Sequence, residues 1–321
     1  MGKVLKVALA VSAVLISIGI ITAVVGVILI TTNVIKPDFS RTVENKYDVE
    51  EDFSDLYVST VSSDVKILPS DDGTTYVKTK DRDKISHEVK VDDGKLSVEL
   101  IDSRAWYDHI IPFFGNTVIE IYLSGENYSQ LDINATTGNA LVSECFTFEK
   151  GIFIEQTTGN IDLKCDSQGD TKLTITTGSV DLNGVDTKSL EITTSTGSMK
   201  LEGVNTDSLD INTTTGSVKL EGVNTDSLDI NTTTGSIRVN NSYCKNTTKI
   251  ETSTGSVRLD RFDSKDIFIE TTTGSVHGKL MSAKVFDVDT TTGSIDIPEN
   301  GEGGTCYIRC TTGSVNISIA E

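Results

Sequence analysis

Along most of this chain apolar and polar residues alternate with a period of two, the period of a strand with one face buried. In residues 209–220, LDINTTTGSVKL, the side chains of Leu209, Ile211 and Thr213 share one face, and Val218 and Leu220 continue it beyond Gly216. Asp210, Asn212 and Lys219 fall on the other face. The unit recurs. Thr-Gly steps occur at Gly138, Gly159, Gly178, Gly197, Gly216, Gly235, Gly255, Gly274, Gly293 and Gly313, at intervals of 19 to 21 residues. Each unit predicts a strand, a Thr-Thr-Gly-Ser corner, a second strand and a return turn such as Gly203-Val204-Asn205-Thr206. One such coil cannot bury its apolar face alone, but stacked coils can. The pattern therefore predicts an all-β fold: a single-stranded β-solenoid of about 19 residues per coil over 126–321, with ten coils rising about 50 Å. The corner glycines are expected to supply either a positive φ or room for close backbone approach. Stacked Thr and Ser hydroxyls are expected to bond along the rod as ladders.

Upstream the pattern is fainter. Residues 56–68, LYVSTVSSDVKIL, match the repeat with Ser63 at the corner. Residues 89–100 and 117–123 also alternate, so 51–125 is read as irregular first coils and a cap, continuous with the rod. Residues 101–115, IDSRAWYDHIIPFFG, break the pattern and hold Trp106, Tyr107, Phe113 and Phe114 beside Arg104, Asp108 and His109. These aromatics are the candidate binding residues. They either cover the open end of the core or form a loop that touches a ligand or a membrane.

Residues 7–35 carry no charge, enough apolar length for one transmembrane helix. The run is too long for a signal peptide and no small-residue cleavage site follows it. Lys3 and Lys6 precede it, so 1–6 is expected in the cytoplasm and the C-terminal solenoid outside the cell membrane, joined by a juxtamembrane linker at 36–50.

Charge narrows the function. The 321 residues hold 28 Lys and Arg against 47 Asp and Glu, a net charge of −19. Nucleic acid is excluded as a partner, because phosphate contacts need clustered basic residues. Catalytic, cofactor-binding and metal-binding motifs are all missing: the three His (His87, His109, His277) show no ligand spacing, and no phosphate-binding or nucleophile motif occurs. Acids such as Asp132, Glu191, Asp210, Asp229 and Asp287 recur six residues before a corner, as a solvated column does. No cofactor is expected. Of five cysteines, Cys145 and Cys165 fall at similar places on adjacent coils, either as a disulfide or as two small buried residues. Cys306 and Cys310 share one strand and cannot pair with each other. A flat ice-binding Thr face is disfavoured, because the Thr column three before each corner shares the inward phase.

The short start, one membrane helix, the LYVSTVSSDVKI opening and the serial TTGSV/TTGSI corners resemble the bacterial putative adhesin family, whose shared domain has no assigned function. The likeness covers about residues 50–321. It implies a surface-displayed β-solenoid without catalytic residues, in a family some of whose members are associated with envelope stress responses. The expected function is thus non-enzymatic: adhesion, display or envelope-stress sensing, with an envelope protein or cell-wall glycan as partner. A self-assembling structural solenoid and a carbohydrate-active β-helix enzyme are the alternatives.

Overall fold

The computed structural model describes residues 42–82, 84–103 and 117–320. The expected membrane helix at 7–35 and the cytoplasmic start lie outside the described residues. No helix among those described is long and apolar enough to cross a membrane.

Every regular element described is a strand. In the repeats a long strand such as Asn205–Thr215 turns at Gly216 into a short one, Val218–Glu221. Long strands stack in parallel to form one sheet, and short strands form the facing sheet. Like residues lie on like: Leu190 on Leu209 on Leu228, and Ile192 on Ile211 on Ile230. Opposite them run Met199, Val218 and Ile237, then Leu201, Leu220 and Val239. All are buried, so the period-two reading of the core holds. Burying one such aliphatic side chain is worth about 1.5–3 kcal/mol, which the repeat multiplies along the rod.

The corners explain the glycines. A Cβ on Gly216 would stand 1.7 Å from the carbonyl oxygen of Gly197 in the next coil. The Gly216 amide meanwhile donates to Thr234 O at 2.9 Å. Close approach is the requirement here, since φ at Gly216 is not in the left-handed region, whereas Gly178 combines the same closeness with φ +148°. Ser63 occupies the equivalent corner of an early coil: a Cβ on Gly138 would meet its carbonyl oxygen at 2.1 Å.

The ladders differ from expectation. The Thr column three before the corner is buried, but Thr194, Thr213, Thr232 and Thr252 do not bond to one another. Where that column does bond, it reaches a corner carbonyl, as Thr271 does with Gly255 O at 3.4 Å. Hydroxyl-to-hydroxyl bonds between coils occur singly, as from Ser227 to Ser208 at 3.3 Å and from Ser294 to Ser314 at 3.1 Å, while a side-chain run follows the return turns, where Asn224 donates to Asn205 and Asn205 to Asp186.

Coil order is the main correction. Consecutive stacking holds only in the middle. The strand Asp55–Thr60 lies between Lys95–Asp102 and Asn127–Thr137, so the first coil is tucked inside the second. At the other end Thr305–Thr312 lies between Ile267–Thr273 of the preceding long strand and Val285–Thr292, so the last coil is also tucked inside. Gly278 marks this second crossing. It faces Ile317, whose Cδ1 atom would lie 2.6 Å from an added Cβ, so a small residue is needed where the sequence pattern asks for an aliphatic one. Twelve coils result, over about 50 Å.

Two more assignments change at the N-terminal end. Part of the expected linker at 36–50 is the strand Val43–Val49, paired antiparallel with Thr75–Asp81, which pairs antiparallel with Thr117–Leu123. Residues 89–100 are not one strand but a hairpin, Ile85–Asp92 and Lys95–Asp102, turning at Asp93 (φ 47°) and Gly94 (φ 74°). That Asp-Gly step is a two-residue hairpin signal. Together these antiparallel strands close the end of the rod, and Tyr47, Val49, Val89 and Val91 pack on its core.

Candidate functional site

The predicted binding residues Trp106, Tyr107, Phe113 and Phe114 lie outside the described residues. The ends of their segment are placed: it leaves the strand Lys95–Asp102 and returns at Thr117, at the corner edge of the outermost coil at the capped end. Beneath that edge lies a polar cluster that sequence reasoning missed. Ser63, His87 and Asp81 are buried together, with His87 Nδ1 2.6 Å from Asp81 Oδ1 and Nε2 3.3 Å from Ser63 Oγ. Asn45 Nδ2 donates to the other oxygen of Asp81 at 2.7 Å.

The order serine, histidine, aspartate is that of a hydrolase triad. Burial assigns it otherwise. Thr60 donates to Ser63 Oγ at 2.8 Å, and Thr117 donates to Ser62 O at 2.8 Å. The 2.7 Å contact between Ser63 and Thr117 therefore needs the Ser63 proton. A nucleophile must reach its substrate, and Ser63 is 0% exposed, closed in by Thr60, His87 and Thr117. The cluster is a buried polar lock at the capped end of the rod. Asp81 and His87 are six residues apart, but Asn45, Ser63 and Thr117 come from other strands, so no spacing motif announces it.

The remaining candidates resolve simply. The acids six before each corner face solvent; partial burial raises the pKa of Asp132 and Asp229 above the usual carboxylate value. Cys145 and Cys165 are both free, the first exposed and the second buried, so the small-residue alternative holds only for Cys165. Cys306 and Cys310 are buried on the same face of one strand, with Ile308 between them. Burial pushes the Cys306 thiol up to about 12. Among the described residues no group of three His, Cys, Asp or Glu is placed to hold a metal ion.

A second surface lies at the far end of the rod. On the outer face of the long-strand sheet, Lys249, Phe268, Tyr307 and Asp287 follow one another from coil to coil. Two residues along each strand run Glu251, Glu270, Arg309 and Asp289. The second column lines a shallow groove of about 420 Å³ whose floor is largely threonine. Phe268 is 38% exposed, and its ring centroid lies 6.1 Å from that of Tyr307. Arg309 is fixed in place: its guanidinium donates to Asp287 Oδ1 at 2.9 Å and to Asp287 O at 3.0 Å, and sits 4.0 Å from the Tyr307 ring centroid. In the middle coils the same columns hold only Glu191, Asp210 and Asp229 beside Thr193, Asn212 and Asn231.

Residues 53–267 and 211–321 match the family described as Toastrack DUF4097. The chain belongs to this family. A search of curated proteins finds no significant match. Among solved structures, a putative lipid binding protein from Parabacteroides distasonis is similar at 14% identity and a TM-score of 0.54, covering 74% of this chain and 98% of that one. A putative adhesin from Bacteroides fragilis aligns at 15% identity over 87% of this chain and 97% of its own, with a TM-score of 0.44. One from Parabacteroides merdae aligns at 11% identity over 88% and 97%, with a TM-score of 0.41. At these identities the likeness concerns the fold alone. As a Toastrack member the chain is a β-solenoid of repeated coils.

Proposed function

We propose that this Toastrack chain is a non-enzymatic binding module, anchored at the cell membrane by 7–35 and holding its solenoid outside the cell. One observation carries the reading: residues 1–41 join the rod at its capped end, while exposed side chains unlike the repeat gather about 50 Å away at the other. A stiff spacer between an attachment point and a distinctive tip is a geometry for display. The sealed Ser63–His87–Asp81 cluster supports the non-enzymatic part, because Ser63 is wholly buried and out of a substrate's reach. The names of the similar structures, putative adhesins and a putative lipid binding protein, agree with a surface role. The segment that carries the aromatics at 106–114 starts and ends at the capped end, and we propose that they make contacts near the membrane. A second reading, end-to-end assembly, draws on Val285 and Ile295, exposed on the outermost coil.

The test uses intact cells carrying the full chain with a C-terminal tag. Added protease is expected to remove the tag without lysis, and the purified chain is expected to release no reducing sugar from cell-wall glycans. A tag protected until lysis would refute display, and sugar release lost in His87→Gln would refute the non-enzymatic assignment. Concentration-dependent filaments in detergent solution would favour assembly.

A further inference from the structure

We infer that the groove at the far end of the solenoid binds an uncharged oligosaccharide, lying along the rod axis with Phe268 as its stacking platform. The inference rests on the reading of the chain as a binding module and names its ligand class and site. Three features of the groove select a glycan.

The first is the pairing of one exposed ring with a row of planar polar groups. The face of an aromatic ring is electron-rich and attracts the weakly positive C–H face of a pyranose. Phe268, beside the groove and two residues from Glu270 on the same side of the sheet, offers such a face, whereas the Tyr307 ring is covered by the Arg309 guanidinium at 4.0 Å. The carboxylates of Glu251, Glu270 and Asp289 accept hydrogen bonds from sugar hydroxyls, and Arg309 donates to them. Arg309 is held by Asp287 and Tyr307 before any ligand arrives, so less side-chain entropy is lost on binding.

The second is spacing. Adjacent coils lie about 4.8 Å apart, close to the length of one sugar in an extended chain. Asn231, Glu251, Glu270, Arg309 and Asp289 place one polar side chain on each of five neighbouring coils. A linear oligosaccharide along the axis therefore meets one polar group per sugar.

The third is what the groove disfavours. The groove's three acids outnumber Arg309 and Lys249, the latter paired with Glu251 at 2.9 Å, so net negative charge disfavours phosphate or sulfate polymers, and the chain's −19 charge adds to that repulsion. Except for the outermost strand Val285–Thr292, the strands beneath the groove are paired on both sides, so an extended peptide could add only at that terminal edge and not across the groove face. The threonine floor offers hydroxyls but no apolar pockets for peptide side chains.

The experiment titrates the full-length chain in detergent micelles, by calorimetry, with the tetrasaccharides of β-1,4-linked glucose and N-acetylglucosamine. Polyphosphate and tetralysine are the competitors. Saturable binding of at least one tetrasaccharide is expected, weakened tenfold or more by Phe268→Ala and by Glu270→Gln. Asp210→Asn, on the same face in a middle coil, should leave it unchanged. Far-UV dichroism checks that each variant keeps its strands, and the near-isosteric Glu270→Gln covers the case in which Phe268→Ala misfolds. Binding of neither sugar, binding that survives both groove variants, or binding of tetralysine in preference to sugar would each overturn the inference. The protease result on intact cells is independent of these titrations. A displayed chain that ignores both sugars would lose this site while keeping the display reading.

Discussion

The coils at 201–219 and 220–238 differ at two positions, whereas the coils at the two ends of the rod share little beyond their apolar columns. The contrast extends to the core. Middle coils bury aliphatic side chains and threonine. Each end buries a polar lock: the hydrogen-bonded His87 and Asp81 at the capped end, and the ion pair of Lys284 with Asp263 (2.9 Å) at the other, where Ser282 bridges the pair. Both locks sit where the chain leaves sequential order. Near-identical coils would stack almost as well after slipping by one repeat, so the middle cannot fix which coil lies where. A buried polar pair is satisfied in one arrangement only, as a buried polar residue fixes register in a coiled coil. We read the locks as the devices that specify the tucked order of the end coils.

The largest effect should come from breaking a lock. His87→Ala leaves Asp81 buried without its principal partner, a change that typically costs about 3–5 kcal/mol. Because solenoids unfold in parts, the readout is local. Amide hydrogen exchange should accelerate in Val43–Val49, Thr75–Asp81 and Ile85–Asp92 and stay slow in Asn205–Thr215. Equal acceleration in both regions would mean that ends and middle form one cooperative unit.

The same contrast separates what the sequence made legible from what it hid. The core columns were readable because the period of two repeats in register: Leu209, Ile211, Val218 and Leu220 each recur 19 residues later. The Ser63 corner was readable through the same alignment. Coil order was not, because a pattern shared by every coil carries no information about neighbours; only oddities such as Gly278 hint at it. The hairpin at Asp93-Gly94 had a local signal that the alternation of 89–100 masked. The His87 lock joins Asp81, six residues away, to Ser63 and Asn45 on other strands, and partners of such common kinds form no recognisable motif. The far groove was half visible. Phe268 and Tyr307 break the charged column, yet they are neighbours only because the last coil is tucked in.

A corner substitution should come next in size. Gly216→Val places a Cβ where the Gly197 carbonyl lies, so one coil must shift, at a cost of about 1–3 kcal/mol typical of overpacking. Lys219→Gln, on the outer face of the neighbouring strand, should stay within about 0.5 kcal/mol. Urea denaturation of both variants measures the difference. Indistinguishable midpoints would show that the corners yield more easily than their geometry implies. Deleting 201–219 should change stability less than Gly216→Val does, since Leu220 inherits the partners of Leu201. The deletion should leave exchange protection at both ends intact; loss at either end would show that end and middle are coupled.

The smallest effect concerns the thiols, which mark the boundary between regular coil and irregular turn. Cys145 has φ 84° and is exposed, in the turn where the 21-residue interval departs from the usual 19. Cys165, Cys244, Cys306 and Cys310 are buried in the rod. A thiol reacts as its thiolate, so both access and pKa matter. Burial raises the Cys165 and Cys306 pKa values, and burial with the charges of Glu144 and Glu126 raises that of Cys145 more modestly. Since the thiolate is the form disfavoured in each, labelling of the native chain should be slow at pH 7 and speed up as pH rises past the ordinary thiol range. It should stop at one group per chain, with stability unchanged by Cys145→Ser. In denaturant all five should react. A second thiol labelled in the native chain would mean that one of the coils opens more readily than its burial implies, and the position of that thiol would show whether the weak point lies in the repeats or at an end.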